Sequence, residues 1–170
     1  MASNPYDVFG APLKIRHKGV YDMKALLAFV YQWYMDNQYI YHEKRYKDKT
    51  ETALGNEIEI ETYGERKVNE YFKYFIEINT HQWESRDIKI KVDGKEMTVV
   101  QGRIEVQING KVITDWQGRF KTPFWITMQK WMEKVILKKE IEFKHIDPID
   151  KQLHDLAQEI KNYLKIESSS

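Results

Sequence analysis

The sequence predicts an α+β domain in which an antiparallel sheet of about five to six strands packs against an N-terminal helix and two C-terminal helices. Three observations lead to this fold class. A helical stripe of apolar residues lies near the N-terminus, a block of alternating apolar and polar residues fills the middle of the chain, and two further helical stripes follow. Strands gathered in one block, instead of alternating with helices, are typical of α+β folds and not of doubly wound α/β folds.

The first elements are a short strand and a helix. Leu13 and Ile15 alternate with charged residues within 12–19, which is the pattern of an edge strand. Asp22 then supplies a helix N-cap. A helix over 23–37 is predicted by apolar residues spaced three and four apart, namely Met23, Leu26, Leu27, Val30, Trp33 and Tyr34.

The middle segment, 39–120, predicts strands and two tight turns. Asp93-Gly94 and Asn109-Gly110 each lie between alternating apolar residues, and such pairs favour type I′ hairpin turns. A two-residue turn at 93–94 places Ile90 opposite Met97 and Ile88 opposite Val99. The apolar phase then shifts, which predicts a β-bulge near 100–102.

Two C-terminal helices are predicted because Thr122-Pro123 and Asp147-Pro148 each match an N-cap followed by proline at the first helical position. The segment 139–145 between them is expected to be extended. The first apolar stripe comprises Phe124, Met128, Trp131 and Val135, widened by Met132 and Ile136. The second comprises Ile149, Leu153, Leu156, Ile160, Tyr163 and Leu164. From all the helices, burial is expected for Leu27, Val30, Trp131, Val135, Leu153 and Leu156.

This order of elements resembles the helix-grip arrangement of the START-like family, in which an antiparallel sheet wraps a long C-terminal helix. The resemblance covers most of the chain but is one of element order and not of a motif. It implies a ligand cavity between the sheet and the helix. The composition, rich in Lys, Glu, Ile and Tyr, is also similar to that of small archaeal proteins.

Composition removes several functions. The 170-residue chain has 27 basic and 26 acidic residues, a balance that argues against a general nucleic-acid binder. It contains no cysteine, which excludes thiol catalysis, disulfides and zinc fingers. No glycine-rich phosphate loop or GxSxG motif occurs, and no two of the five histidines are spaced as metal ligands. We therefore expect no cofactor, no metal and no enzymatic activity.

Asp115 is the acid most relevant to a site. A turn at 109–110 places Asp115 opposite Ile104, on the apolar face, where a carboxylate must be paired or have a raised pKa. A register shifted by one residue places Val112, Thr114 and Trp116 on that face instead and leaves Asp115 in water. We predict that an aromatic-lined groove binds ligand through Asp115, Trp116, Tyr74, Trp131 and Tyr41.

Two other binding surfaces are considered and not favoured. One is a pair of basic patches, the first formed by Lys14, Arg16 and Lys18 and the second by lysines and tyrosines of 39–49, which suit single-stranded nucleic acid. Glutamates of 57–61 should neutralise the second patch by cross-strand pairing. The other is the lysine- and tryptophan-rich helix after 122, which resembles an interfacial membrane helix. A core helix with a solvated lysine face is favoured there.

The sequence thus predicts one soluble, cytoplasmic domain over 1–170, with disordered ends at about 1–5 and 167–170. No targeting or membrane-spanning segment is expected. The predicted function is non-enzymatic binding of an apolar small molecule or lipid between sheet and helices. The alternative is a structural or protein-interaction module, such as a homodimer, without a small ligand. A large enclosed cavity favours the first function, whereas a filled core with an exposed apolar patch favours the second.

Overall fold

The computed structural model describes residues 4–165 and confirms an α+β fold with an antiparallel sheet. The strands are β1 (Asn4–Asp7), β2 (Leu13–Tyr21), β3 (Ile40–Thr52), β4 (Gly55–Lys67), β5 (Phe72–Val92) and β6 (Lys95–Thr114). Helix α1 spans Met23–Asp36. A C-terminal helical segment then comprises α2 (Pro123–Met132), the π-helical turn π1 (Glu133–Leu137), α3 (Lys138–Glu140), a second π-helical turn π2 (Ile141–Ile146) and α4 (Asp147–Leu164).

The six strands form one sheet in the order β1-β6-β5-β4-β3, and β2 also pairs with β6. Strands β1 and β2 occupy successive parts of the same edge, since Tyr6 lies opposite Val112 and Ile15 opposite Val106. Strand β1 begins at Asn4, so the disorder predicted for residues 1–5 is wrong at positions 4 and 5. The rest of the predicted disorder, at residues 1–3 and 167–170, lies outside the described residues.

Helix α1 confirms the first predicted helix. The Asp22 carboxylate accepts a hydrogen bond from the Ala25 backbone N–H at 3.0 Å, which satisfies one of the free donors of the first turn. Leu26, Val30 and Tyr34 are buried against the sheet and the C-terminal helix. Strand β2, which precedes α1, confirms the predicted edge strand.

The hairpin at Asp93-Gly94 is confirmed, including its register. Ile90 lies opposite Met97 and Ile88 opposite Val99. Asp93 and Gly94 have φ angles of 50° and 79°, the left-handed region that a type I′ turn needs.

The hairpin predicted at Asn109-Gly110 is wrong, because β6 runs straight through both residues. Asn109 lies opposite Glu77 and Gly110 opposite Ile76, so the ladder with β5 is unbroken. A Cβ built on Gly110 would lie 2.7 Å from Leu153 Cδ1 of α4. This glycine therefore permits the close approach of a helix to the sheet and does not form a turn.

The predicted bulge is displaced to the neighbouring strand. Trp83 pairs with Arg103 and Arg86 with Gln101, so two residues of β5 lie opposite the single Gly102 of β6. The position along the ladder is as predicted, but β5 carries the extra residue.

Helices α1 and α4 cover one face of the sheet and fill the space above it. Phe29 of α1 stacks on Tyr163 of α4 with ring centroids 4.5 Å apart. The sheet contributes alternate residues to this core, and the fully buried members of sheet and helix include Ile76, Ile78, Ile104, Ile108, Leu153, Leu156 and Ile160. The burial predicted for Val30, Leu153 and Leu156 is confirmed, and Leu27 is half-buried.

The two predicted C-terminal helices are one continuous helical segment over 123–164, so the break at Asp147-Pro148 and the extended segment at 139–145 are both wrong. Ile146 has φ and ψ of −72° and −53°, which is helical geometry. Pro148 has no backbone N–H to donate. The preceding π2 turn already changes the usual i to i−4 pairing of donors and carbonyls, so the helix continues through this proline. Within residues 4–165, no helix is both long and apolar enough to cross a bilayer.

Candidate functional site

The most unusual surface of the molecule is an exposed apolar face on the first half of the C-terminal helical segment. Seven large side chains there are between 40% and 69% exposed. We call this surface the apolar stripe; it comprises Phe124, Trp125, Met128, Trp131, Val135, Ile136 and Phe143. The burial predicted for Trp131 and Val135 is therefore wrong. Soluble domains rarely expose so contiguous an apolar surface without a binding role.

Lysines border the apolar stripe. Lys130, Lys134 and Lys138 follow one another at four-residue spacing, so they form a row along one side of the helix. All three are exposed. The helix therefore presents an apolar row and a basic row side by side.

The opposite, buried face of this helix begins with polar residues. Gln129 is 1% exposed and Glu133 is 2% exposed. The buried or half-buried positions recur every fourth residue and are Gln129, Glu133, Leu137, Ile141, His145, Ile149 and Leu153. An α-helix has 3.6 residues per turn, so a four-residue repeat drifts around its axis. The wider π1 and π2 turns offset this drift and keep the series facing the sheet.

Glu133 is held by hydroxyl and amide donors, and we call this group the Glu133 cluster. The phenols of Tyr6 and Tyr71 donate to its two carboxylate oxygens, the former at 2.5 Å. Gln129 Nε2 donates to the carboxylate at 3.0 Å, and the Thr114 hydroxyl also bonds to it. These donors come from β1, the residue before β5, the end of β6 and α2. The cluster thus fastens the helix to three parts of the sheet.

The electrostatics of the Glu133 cluster favour the ionised carboxylate. Burial alone raises the pKa of Glu133, but hydrogen bonds from Tyr6, Tyr71, Thr114 and Gln129 outweigh it and hold the pKa below its ordinary value. Burial and the neighbouring carboxylate raise the pKa of both phenols, so Tyr6 and Tyr71 remain protonated donors. The cluster is a structural network whose members bond to one another; among its described side-chain atoms, Gln129 Oε1 is buried without a hydrogen-bond partner.

His145 forms the next polar contact along the buried face. Its Nδ1 lies 2.8 Å from the hydroxyl of Tyr74, and its ring stacks on Phe72 with centroids 4.0 Å apart. Burial lowers the pKa of His145, and the positive charge of Lys144 lowers it further. The negative charge of Glu140 raises it, but the net result is a decrease. The neutral imidazole therefore belongs to the folded state.

A small cleft lies beside Tyr74. Its volume is about 370 Å³, and it is lined by residues that include Arg66, Tyr74, Ile149 and Gln152. The Arg66 guanidinium lies 5.1 Å from the ring centroids of both Tyr39 and Tyr74, and it donates to the Asn37 carbonyl. The cleft opens to solvent, unlike an enclosed cavity.

The predicted ligand-binding residues lie on different parts of the fold. Asp115 is buried, but in the loop after β6, where its carboxylate accepts hydrogen bonds from the backbone N–H groups of Arg119 and Phe120. The predicted pairing with Ile104 is wrong, because there is no turn at 109–110. The alternative is right in burying Val112 and Thr114 but wrong in exposing Asp115, which is 1% exposed. Asp115 organises a turn, with a φ of 46°.

The aromatic members of the predicted site are equally separated. Trp116 donates from Nε1 to the Asn69 carbonyl and faces Lys67. Tyr41 lies on β3 and packs edge-to-face with Tyr31 of α1. Tyr74 is buried under the C-terminal segment, whereas Trp131 faces outward from it. The predicted groove residues therefore do not share one described cleft, and ligand binding by them stays a prediction.

The outer face of the sheet carries the predicted basic patches. Arg16 pairs with Glu105 at 2.6 Å and Arg103 with Glu84 at 2.8 Å, around an open cleft of about 510 Å³ that includes Trp83. On β3 and β4, the predicted cross-strand neutralisation is confirmed, as lysines and arginine pair with glutamates. The charges of Arg16, Arg103 and the basic residues of β3 are thus matched by glutamates, which reduces the excess available for nucleic acid.

One group on this outer face has the composition of a metal site. Glu57, Glu59 and His81 each offer a ligand atom, and these atoms lie within 4.8 Å of one another. His81 Nε2 contacts Glu57 at 2.8 Å, while Lys49 and Lys47 pair with the two carboxylates at 3.3 and 3.9 Å. The group is therefore part of the salt-bridged face, and it gives no separate indication of a ligand.

A scan against models of protein families finds no match for this chain, and a search of curated proteins finds none either.

Sequence reasoning missed the buried polar face of the helix. Gln129 and Glu133 look like solvent-facing residues because they lie opposite an apolar stripe. A signal was present, however, since the two residues begin the same four-residue series that continues through Leu137, Ile141 and Leu153.

Proposed function

We propose that this protein is a non-enzymatic interaction module that attaches to a partner through the apolar stripe. The observation that carries this proposal is the unusual burial pattern of the C-terminal helical segment. Its polar residues Gln129 and Glu133 are buried, while seven large apolar residues are exposed. Removing such a surface from water on binding is favourable by about 25 cal/mol for each Å² of apolar area.

The filled core supports an interaction module over the alternative of a buried small ligand. Ile76, Ile78 and Leu153 occupy the space between the sheet and α4, and each is at most 1% exposed. A sheet packed on one long C-terminal helix is what the helix-grip resemblance implies, and it favours the apolar-ligand hypothesis. That hypothesis stays a prediction, and the packing of these side chains weighs against it.

Native mass spectrometry of the full chain, purified from its own host, tests the proposal. The matched variants are Trp131→Ser with Val135→Ser, in the stripe, and Leu54→Ser with Val92→Ser, at exposed apolar positions elsewhere. We expect the wild type and the second variant to carry partner or lipid mass that the stripe variant lacks. A small molecule retained equally by all three forms would instead indicate a buried ligand and contradict the proposal.

A further inference from the structure

We infer that the partner of the apolar stripe is the surface of a bilayer that contains anionic lipid, an inference that rests on the proposed function. The stripe extends from Phe124 to Phe143, which at about 1.5 Å per residue corresponds to a row roughly 28 Å long. A row of this length can lie in the plane of a membrane, with its apolar side chains in the boundary between headgroups and acyl chains.

The side chains of the stripe are those that prefer this boundary. Trp125 and Trp131 combine an apolar ring with an indole N–H, a combination suited to the membrane–water interface. Phe124, Val135 and Phe143 add purely apolar surface, and each is at least 60% exposed. The stripe projects as a ridge on a helix, so a planar, deformable partner fits it without a matching groove.

The charges around the stripe favour an anionic partner. Segment 121–146 has six lysines and three glutamates, a formal charge of +3, so the rest of the chain, whose total is +1, has −2. One of the three glutamates is the buried Glu133, which leaves only Glu140 and Glu142 to offset the lysines on the surface. The segment that carries the exposed apolar row therefore has a net positive charge, whereas the rest of the chain has a net negative charge.

The lysines are placed to reach lipid phosphates. Lys130, Lys134 and Lys138 border the stripe, and long lysine side chains can bury their methylene stems while the ammonium groups reach the headgroups. Lys139 lies between Val135 and Phe143 in the stripe itself and can extend in the same way. The apolar side chains can thus contact the acyl chains while the lysine ammonium groups pair with phosphates, at the same depth of the helix in the membrane.

The buried side of the helix keeps this surface facing outward. Glu133 is bonded to Tyr6 and Tyr71, and His145 to Tyr74, so both π-helical turns are fastened to the sheet. Rotation of the stripe into the core would break these contacts and leave the hydroxyl groups of Tyr6 and Tyr71 without their acceptor.

A second copy of the chain fits the stripe less well. In a symmetric dimer the same patch meets itself, and an antiparallel pairing of the two helices would place the lysine row of one copy near that of the other. Like charges across an interface cost affinity. A dimer is therefore an outcome to be tested and not the occupant that the charges favour.

Co-sedimentation of the full chain with phosphatidylcholine vesicles, with and without about 30% phosphatidylserine, tests the inference. We expect strong binding only to the anionic vesicles, weakened by salt. Trp131→Ser with Val135→Ser should lower the partition coefficient at least about tenfold, because apolar contact is lost. Leu54→Ser with Val92→Ser should leave it unchanged.

Lysine variants separate the electrostatic contribution. Lys134→Gln with Lys138→Gln should lower binding to the anionic vesicles about fivefold for each lysine, since one basic residue near the surface contributes about 1 kcal/mol. Lys89→Gln with Lys91→Gln, exposed lysines of the β5–β6 hairpin, should have no comparable effect.

Two results would overturn the lipid inference: wild-type protein that binds neither vesicle, or a stripe variant that binds as the wild type does. Sedimentation equilibrium of the same samples separates the two proposals. A wild-type dimer that the stripe variant dissociates would reject the lipid surface but retain an interaction module. A monomer that binds no vesicle, and carries no stripe-dependent mass in native mass spectrometry, would reject both.

Discussion

The phenol of Tyr71 donates a hydrogen bond to the buried carboxylate of Glu133, and this contact links the start of β5 to the first π-helical turn. Tyr6 donates to the other carboxylate oxygen. The position of these two tyrosines explains why a glutamate, and not an apolar residue, lies under the helix. Hydroxyl groups at this end of the sheet need an acceptor, and an aliphatic side chain would leave them unpaired.

Tyr71→Phe should destabilise the protein by about 1–3 kcal/mol at neutral pH, because a hydrogen bond to a buried charge is lost. In the wild type the pKa of Glu133 is lowered, so its contribution to stability is present above the ordinary value of 4.5 and is lost as the pH falls through the folded pKa. The variant should therefore approach wild-type stability in acid. Urea unfolding at several pH values measures this, with Tyr163→Phe, exposed on α4, as the control.

Gly110 and Leu153 should show strong energetic coupling. Gly110→Ala introduces a Cβ 2.7 Å from Leu153 Cδ1 and should cost about 1–3 kcal/mol through overpacking. Leu153→Ala alone should cost about 2–5 kcal/mol. In the double variant the new methyl group occupies space that the leucine vacates, so the combined loss should be smaller than the sum. Additive losses in denaturant unfolding would mean that α4 does not cross β6 at this point.

Gly94→Val should destabilise the Asp93-Gly94 turn by about 1–2 kcal/mol, because a β-branched residue resists its φ of 79°. No atom lies within 4 Å of a Cβ built there, so the effect is one of backbone conformation and not of crowding. Gly10→Val is the matched control, since that glycine is equally uncrowded and has no positive φ. Equal thermal shifts for the two variants would argue against a type I′ turn.

His145 should make the stability depend on pH near neutrality. Its pKa is lowered in the folded state, so its stabilising contribution is complete above the unfolded value of 6.5 and declines as the pH falls towards the folded pKa. His145→Gln should flatten the stability profile where the pH falls below the unfolded value of 6.5. His154→Gln, at a position 55% exposed, should not. An NMR titration of His145 that gives the ordinary pKa would contradict the burial of this imidazole.

The parts of the fold that the sequence predicts correctly depend on local chemistry. The Asp22 cap, the Thr122 cap and the Asp93-Gly94 turn each arise from residues a few positions apart. The alternation of buried and half-buried residues over 72–78 likewise indicates a strand with one face in the core. Such features can be predicted from short stretches of sequence because the interactions that define them are local.

The errors concern contacts between distant segments. Asn109-Gly110 has the composition of a turn, yet Gly110 is required by Leu153, which lies 43 positions away in the chain. Asp147-Pro148 has the composition of a helix start, yet the packing of Ile141 and Ile149 on the same sheet keeps the helix continuous. Local composition cannot distinguish these cases.

The candidate surface could not be predicted for a related reason. An apolar stripe at helical spacing is normally buried, and here the stripe that contains Trp131 was expected in the core. Which face is buried depends on what the helix meets, and the helix meets the hydroxyls of Tyr6, Tyr71 and Thr114. Those three residues are far apart in the sequence and are brought together only by strand pairing.

The orientation of the C-terminal helix is the central claim, and thiol labelling tests it most directly, since the chain has no native cysteine. Val135→Cys places a thiol on the apolar stripe, at a position 60% exposed, whereas Leu156→Cys places one in the core, at 0%. We expect the first thiol to react with a soluble disulfide reagent at nearly the rate of an unfolded control, and the second to react only as the protein unfolds. Protection of Val135→Cys equal to that of Leu156→Cys would contradict the outward orientation of the stripe.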